Sequence, residues 1–281
     1  MNYAKTWETV ARISLWLLAL SVTALPAIML LHLILQGGDG LSWSFIVEDP
    51  LNGGREGGIA PLLVSTAWIL AVCLFTVIAL GTPCALFLAN NNMLDTWRRR
   101  VGQVLDILAA IPSIVFGLFG YVFFTQILGM GFSILSGGLS LACMCLPLYV
   151  RLSEHALRQV PLSYRNAAMA LNLSELGYVR RILLPLAAPG MVAAVILAAG
   201  RALAETAVLI FTAGYVVRMP NSLFDSGRSL SVHIYDLAMN VPGGTHNAAT
   251  TALLLVIILV VMNALSRLLA TAYSRRLLNQ N

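Results

Sequence analysis

Two ionisable residues, Arg201 and Glu205, lie four positions apart within the long apolar stretch PGMVAAVILAAGRALAETAVLIFTAG. An apolar stretch of this length predicts a membrane-spanning helix, and residues four apart lie on one side of a helix. At a rise of about 1.5 Å per residue, Arg201 is predicted roughly 20 Å into a hydrocarbon layer that is about 30 Å thick. Both charges are therefore expected well inside the membrane.

A charged side chain at that depth costs on the order of 2.5 to 3.5 kcal/mol, so it normally faces a cavity or a partner. The planar guanidinium group of Arg201 matches the oxygens of a tetrahedral oxyanion. Glu205 would offset the arginine charge and keep binding weak enough for release. Thr206, the next residue, is the third candidate to line such a cavity as a path across the membrane. The alternative is an ion pair within one helix that only supports assembly.

Small residues form a repeat in the same stretch. Gly190, Ala194, Ala198 and Ala202 recur every four positions, and small residues at this spacing let helices approach closely in lipid. This face is therefore predicted to pack tightly against another helix.

The composition is that of a membrane protein. Of 281 residues, 59% are hydrophobic and 10% are charged, with mean hydropathy +0.84, whereas soluble domains have roughly 25% charged residues. We predict an all-α polytopic membrane protein with one six-helix transmembrane domain over 12–272. Apolar runs of about 20 residues predict the spans at 12–35, 61–89, 104–127, 134–150, 187–213 and 249–271.

The positions of the basic residues predict the orientation. With the N-terminus in the cytosol, 13 of the 17 Lys and Arg residues fall on the inner side, as the positive-inside rule requires. Both termini are then cytosolic, as an N-terminal segment 1–11 and a tail 273–281. The same distribution explains the net charge of +5 without a nucleic-acid partner, and the surrounding partner is membrane lipid.

No motif for catalysis, metal binding or nucleotide binding occurs in the chain. It contains no G-x-x-x-x-G-K-[ST], H-E-x-x-H or G-x-S-x-G pattern, so any ATP hydrolysis is expected in another polypeptide. The four cysteines lie in predicted spans without Cys-x-x-Cys spacing, and we expect them to be buried as small apolar residues. The sequence thus predicts a non-enzymatic chain without a bound cofactor or metal.

The polar interval 153–185, SEHALRQVPLSYRNAAMALNLSELGYVRRILLP, is predicted to face the cytosol. Pro161 suits the first position of a helix, and Asn172 suits a left-handed turn. Ser174 suits the N-cap of a second short helix. Two short helices joined by a turn would form a compact knob on the membrane surface.

This interval resembles the cytosolic coupling loop of bacterial ABC importer permeases, whose pattern is E-A-A, three residues, G, nine residues and I-x-L-P. The positions on that spacing are Asn166, Ala167, Ala168, Asn172, Ile182, Leu184 and Pro185. Asn166 replaces the usual Glu, and Asn172 replaces the usual Gly. The resemblance implies that these seven residues dock a cytosolic ATPase.

Three further segments resemble the phosphate-type (PstA-type) permeases of this family. They are IPSIVFGLFG in the third predicted span, GRALAETAVLIFTAG in the fifth, and the outer segment MPNSLFDSGRSLSVHIYDLA. Ala204 replaces the Gly that is usual in the second of these motifs. The resemblance implies the MetI-like type I importer permease fold in a bacterial cytoplasmic (inner) membrane, crossing it several times.

The implied function is that of a permease subunit of an ATP-driven phosphate importer. The implied partners are a second, PstC-like permease subunit, PstB-like ATPase subunits that use the ATP, and an extracytoplasmic PstS-like phosphate-binding protein. Related oxyanions such as phosphite or phosphonate are alternatives. An ion-coupled secondary transporter, with Arg201 and Glu205 as a relay, is a further alternative, although no internal symmetry supports it.

Two outer segments complete the sequence-based expectations. The glycine-rich loop GGREGGIAP is expected to be a flexible connection. Leu230, Ile234 and Leu237 predict a short amphipathic helix along the outer surface. Near it, Arg218, Arg228 and His233 are either solvated charges or contacts for the outer partner, and the sequence leaves both readings open.

Overall fold

The computed structural model describes residues 2–89 and 95–278, so Met1, residues 90–94 and the last three residues of the predicted 273–281 tail lie outside the described residues. The helices are α1 (Asn2–Gly37), α2 (Trp43–Val47), α3 (Ala60–Ala89), α4 (Asp95–Ala110), α5 (Ser113–Gly120), α6 (Ile134–Arg158), α7 (Leu162–Ala170), α8 (Glu175–Tyr178), α9 (Leu184–Leu203), α10 (Ala207–Thr212), α11 (Leu230–Met239) and α12 (Thr245–Leu278). A hairpin pairs β1 (Pro50–Leu51) with β2 (Glu56–Gly57). Below, inner and outer follow the topology predicted from the basic residues.

Five helices among the described residues are long and apolar enough to cross a membrane, or up to six if a bent pair counts as one span. They are Ala11–Gly37, Ala60–Ala89, Ile134–Arg158, Glu175–Leu203 and Thr245–Leu265, and the bent pair is Thr96–Ala110 with Ser113–Ile127. The chain is thus an all-α polytopic membrane protein.

α6 lies at the centre of the bundle, with α3 and α9 packed against it. Small residues permit the close approach: a Cβ added at Gly81 of α3 would lie 2.5 Å from the ring of Tyr149 on α6. The Tyr149 hydroxyl and the Thr82 hydroxyl form a hydrogen bond of 2.8 Å. On the α9 side, the Cys145 thiol donates to the carbonyl oxygen of Ala198 at 3.7 Å.

The predicted face of small residues on α9 is the face that packs against α6. Ala194, Ala198 and Ala202 are all buried. A Cβ added at Gly190 would lie 2.5 Å from the Cβ of Ala156 on α6. The inner end of α6 also continues as helix to Arg158, beyond the predicted end of the fourth span at residue 150.

The third predicted span, 104–127, is not one helix. α4 ends at Ala110, and the chain bends by 98° before α5 begins at Ser113. Pro112 lies in the bend, since it has no N–H to continue the hydrogen bonding of α4. α5 continues into a π-helical turn, Tyr121–Ile127, so two segments take the place of the single span.

The fifth predicted span, 187–213, also differs from the expectation. One helical segment runs from Glu175 through α8, a π-helical turn (Val179–Leu183) and α9 to Leu203. The helix then ends, and α10 begins at Ala207. The prediction that Arg201 and Glu205 lie on one helix is therefore wrong, and α8 is the beginning of the long segment rather than a separate short helix.

Ordered segments cover the outer end of the bundle. The glycine-rich loop forms the β1–β2 hairpin rather than a flexible connection, with Gly53, Gly54 and Gly57 at positive φ. α11 is the predicted amphipathic helix. Its Leu230 lies in an apolar cluster of the bundle instead of on the membrane surface, because α11 packs against α12.

α1 contributes little to this core. None of the residues in its most apolar window is buried. It meets α12 near its outer end, where the Thr250 hydroxyl donates to the Gly37 carbonyl at 3.1 Å. A Cβ at Gly37 would lie 2.5 Å from the Thr250 nitrogen, so the close approach requires glycine there.

Candidate functional site

The break between α9 and α10, residues 204–206, is the candidate translocation site. Arg201 lies in the last turn of α9 and is exposed in the isolated chain, whereas Glu205 and Thr206 lie in the break and are half-buried. The three predicted pathway residues thus lie in the break or directly before it, and not on one continuous helix.

Backbone hydrogen bonds tighten the chain at this break. The Ala204 N–H donates to the Gly200 carbonyl at 3.2 Å, and the Glu205 N–H donates to the Ala202 carbonyl at 3.3 Å, three residues back. The Glu205 carbonyl accepts a hydrogen bond of 2.7 Å from the Ser231 hydroxyl on α11. Sequence reasoning missed Ser231, because a serine in an outer segment carries no sign of a partner 26 residues away.

Arg201 lies on an exposed face of α9. Leu197 and Arg201 are exposed on this face, as is Ala204 directly after the helix, and the face is distinct from the buried alanine face. Within the described part of the chain, the side chains of Arg201 and Glu205 form no ion pair with each other or with another residue. The arrangement therefore offers a guanidinium group and a carboxylate to a ligand or partner outside this bundle.

The predicted coupling residues lie at the inner end of the structure. On α7, Asn166 and Ala167 are exposed, while Ala168 is 2% exposed and packs inward. Pro161 is the N-cap of α7 rather than its first residue. Ile182 lies in the π-helical turn, and Leu184 and Pro185 begin α9.

The turn after α7 has the geometry expected for Asn172. Asn172 has φ +54°, its N–H donates to the Met169 carbonyl at 3.0 Å, and the Leu173 N–H donates to the Ala168 carbonyl at 3.0 Å. This pair of bonds is a Schellman motif. Ser174 caps the following helix as predicted, because its hydroxyl accepts from the Gly177 N–H at 3.1 Å.

Apolar side chains are exposed around this turn. Leu162, Met169, Leu171 and Leu176 are each about 60% exposed or more. Arg165 of α7 and Glu175 of α8 form an ion pair of 2.8 Å that joins the two helices. We call the exposed surface of Leu162, Ala167, Met169, Leu171 and Leu176 the inner patch; exposed apolar patches of this kind mark protein interaction sites.

An ion-pair network that the sequence did not reveal joins α4 to α6. Arg151 bonds Asp106 of α4 at 2.6 Å and Glu154 at 3.1 Å, and it donates to the Gly102 carbonyl at 2.8 Å. Arg158 bonds Glu154 at 2.9 Å. Asp106 and Arg151 are 45 residues apart, so no local pattern indicates their contact.

Two of the three outer residues, Arg228 and His233, differ from the expectations for them. Arg228 bonds Asp236 at 2.8 Å, and its Nη1 lies 3.4 Å from Nδ1 of His233. His233 is 1% exposed; burial, together with the Arg228 charge, lowers its pKa to about 4 although Asp236 opposes the shift. His233 is therefore enclosed and Arg228 is paired within the chain and only partly exposed, whereas Arg218 is exposed.

No group of three or more His, Cys, Asp or Glu that could hold a metal occurs within 2–89 and 95–278. Of the cysteines, Cys73 and Cys145 are buried in the core, and Cys84 and Cys143 are half-buried.

Comparison with known proteins identifies the family. Residues 81–279 match the model for the binding-protein-dependent transport system inner membrane component. The chain belongs to this family of ABC importer permeases. It is a multi-pass inner-membrane permease subunit.

Curated relatives of this permease cover nearly the whole chain. It is 31% identical over 265 residues to the probable ABC transporter permease protein YqgI of Bacillus subtilis, covering 88% of this chain and 89% of that protein. It is 32% identical over 263 residues to the phosphate transport system permease protein PstA 2 of Mycobacterium tuberculosis, covering 92% and 86%. The phosphate transport system permease protein PstC of Haemophilus influenzae is 28% identical over 304 residues, covering 96% and 95%.

Solved structures agree on the fold of the permease. A chain of the MetNI methionine ABC transporter in an inward-facing conformation superposes with a TM-score of 0.63 at 20% identity, covering 76% of this chain and 97% of that one. A chain of an amino acid ABC transporter gives a TM-score of 0.52 at 15% identity, covering 78% and 92%. The permease therefore has the MetI-like fold.

Proposed function

We propose that this permease subunit forms one half of the pathway of an ATP-driven phosphate importer, and that Arg201 is the anion contact in that pathway. The relationship to PstA permeases supports phosphate. The observation that carries the role of Arg201 is its position: the charge is exposed on α9, in an apolar span, without a partner in the described structure.

The cost of a charge in lipid indicates that the face of α9 carrying Arg201 is covered. An arginine that faced acyl chains would cost on the order of 2.5 to 3.5 kcal/mol, so the face that presents Arg201 borders a water-filled path or a second subunit. A guanidinium group there can donate two parallel hydrogen bonds to phosphate oxygens. Glu205, half-buried in the break, limits the positive potential and favours release.

The inner patch supports an ATPase partner. It lies at the inner end of the chain and includes coupling-loop position Ala167, and its apolar side chains need a protein cover in water. ATP is bound and hydrolysed by that separate chain, and this permease subunit holds no cofactor. A second permease subunit and an extracytoplasmic phosphate-binding protein complete the proposed assembly.

Uptake of radiolabelled phosphate by the reconstituted complex tests the role of Arg201. Loss of a charge-assisted hydrogen bond costs about 1.5 to 3 kcal/mol, so Arg201→Ala is expected to lower uptake roughly 10- to 100-fold. Arg201→Lys keeps the charge without the planar guanidinium fork. Its uptake is expected to lie between that of the wild type and that of Arg201→Ala. Arg12→Ala, at an exposed arginine of α1 that belongs to none of the predicted pathway, coupling or outer-partner residues, is the matched control.

Unchanged uptake by an assembled Arg201→Ala complex would refute the pathway role. Competition with excess phosphite, phosphonate or arsenate in the same assay tests the substrate. If phosphite or phosphonate is transported in preference to phosphate, the phosphate assignment is wrong while the permease assignment stands.

A further inference from the structure

The first turn of α11 contacts the break between α9 and α10. The Ser231 hydroxyl donates to the Glu205 carbonyl at 2.7 Å, and Ser231 is only 6% exposed. The bond therefore lies largely out of water, where an unpaired carbonyl costs free energy. It joins an outer helix directly to the segment that carries Glu205.

The same turn of α11 is bonded to α3. The Leu230 N–H donates to the Thr66 hydroxyl at 3.0 Å, and that hydroxyl donates to the Leu62 carbonyl at 2.6 Å. Thr66 is thus oriented by its own helix and accepts a backbone donor that α11 leaves unpaired at its start. One turn of α11 therefore bridges α3 and the break.

The chain before α11 is bonded to the chain after α10. The Arg228 N–H donates to the Val216 carbonyl at 3.1 Å, and Nε of Arg228 donates to the Tyr215 carbonyl at 3.0 Å. The Gly227 N–H donates to the Ala213 carbonyl at 3.1 Å. α11 is thus bonded to the break, and Gly227 and Arg228 just before it are bonded to the chain beyond the end of α10.

We propose that Ser231 and Thr66 are positioning residues that fix the 204–206 break, and thereby the direction in which Arg201 and Glu205 face. We call these two bonds, Ser231 to Glu205 and Leu230 to Thr66, the α11 anchor. Its effect on transport rests on the proposed function, whereas its effect on the backbone of the break does not. Neither residue contacts substrate in this account.

Amide hydrogen–deuterium exchange in the assembled complex, in lipid nanodiscs, tests the anchor. Removing one partner of a buried hydrogen bond costs about 1 to 3 kcal/mol, so exchange at residues 204–207 is expected to rise roughly tenfold in Ser231→Ala and Thr66→Val. Ser231→Thr keeps the hydroxyl and is expected to exchange like the wild type. Ser226→Ala is the matched control, since the Ser226 hydroxyl donates to a carbonyl away from the break, that of Ala213 at 3.2 Å.

Phosphate uptake by the same variants separates the two proposals. We expect the maximal rate to fall several-fold in Ser231→Ala and Thr66→Val without a change in half-saturating phosphate, because the proposed extracytoplasmic binding protein captures the anion before it reaches Arg201. Faster exchange with unchanged uptake would support the anchor and overturn the pathway through the break. Unchanged exchange in both variants, or equally faster exchange in Ser226→Ala, would overturn the anchor itself.

Discussion

At the scale of single residues, the turn after α7 tolerates a departure from the family pattern. Asn172 occupies a left-handed conformation with φ +54°, which only Gly and, less easily, Asn and Asp adopt without a large cost. The sequence predicted this turn because the tolerance of Asn for a left-handed conformation depends on that residue alone and not on distant contacts. The usual Gly and the observed Asn therefore satisfy the same backbone requirement.

Substitution at Asn172 measures this requirement. Asn172→Gly is expected to leave the turn intact, and Asn172→Ala is expected to destabilise it by about 1 kcal/mol. The measurement is amide exchange over residues 162–178 together with copurification of the ATPase. Equal exchange in the Ala and Gly variants would contradict the role of the left-handed residue.

His233 gives the outer end a pH dependence. Its pKa is lowered to about 4 in the folded chain, chiefly by burial and then by Arg228, with Asp236 opposing, whereas an unfolded His has a pKa near 6.5. Below pH 6.5 the unfolded state binds more protons, so stability falls as the pH falls towards 4. The loss is about 2 kcal/mol by pH 5.

The thermal midpoint of the complex at pH 7 and pH 5 checks this expectation. The drop between the two values should be smaller in His233→Gln, which cannot be protonated, than in the wild type. His246→Gln is the control at an exposed histidine. An equal drop in all three proteins would exclude a contribution from His233.

At the scale of the elements, close helix contacts depend on glycine. A Cβ at Gly120 of α5 would overlap the Ser140 hydroxyl of α6 and lie 2.8 Å from Cγ2 of Thr212 on α10. At Gly200 of α9, by contrast, the nearest atom would be 3.8 Å away. Both glycines are in helices, but only the first lies where two neighbouring helices meet it.

Alanine at each glycine separates packing from helix propensity. Gly120→Ala is expected to lower the thermal midpoint and the yield of assembled complex, because α5 must move away from α6. Gly200→Ala is expected to be neutral or stabilising by about 0.5 to 1 kcal/mol. A Gly120→Ala complex as stable as Gly200→Ala would contradict the tight contact.

The sequence predicted the elements better than their interruptions. Apolar length indicated the spans, and the spacing of small residues indicated the α6–α9 contact. Pro112 marked the position of the bend, but a proline does not determine whether a helix bends or ends. The break at 204–206 had no local sign, since ALAETA continues a helical pattern. Its Glu205 carbonyl accepts a hydrogen bond from Ser231 of α11, and such a distant contact cannot be read from spacing.

At the scale of the whole molecule, much apolar surface remains outside the core. α1 is exposed along its apolar length, and Ile114, Val115, Leu118 and Phe119 of α5 are each about half exposed. In a membrane protein such surfaces meet lipid or another subunit. The isolated chain therefore presents the surfaces that an importer with several subunits requires.

The energy source distinguishes this assembly from an ion-coupled transporter. Proteoliposomes of the complete complex are expected to transport phosphate with ATP supplied to the ATPase and no ion gradient. They are expected to be inactive with an imposed pH gradient and no ATP. Uptake driven by the gradient alone would contradict the ATP-driven mechanism and support an ion-coupled transporter in which Arg201 and Glu205 form the relay.

Charge on the inner patch tests the coupling to that ATPase. Ala167→Asp is expected to abolish ATP-dependent uptake, because it places a charge within the apolar inner patch. Ala167 is exposed, so the substitution disturbs no core contact. Asn221→Asp, at an exposed position on the predicted outer side, adds the same charge away from the inner patch. It is expected to leave ATP-dependent uptake unchanged. ATP-driven uptake at the wild-type rate in Ala167→Asp would contradict docking at this surface.

The exposed Arg201 has a consequence for biosynthesis. If a second permease subunit covers this face, as proposed above, a chain made before that partner has no cover for it, and the guanidinium group must reach headgroups or draw water into the bilayer. Such an orphan chain is a natural substrate for membrane proteases. Its accumulation should therefore follow the amount of partner, and a cell that makes the two in unequal amounts should retain only the matched fraction.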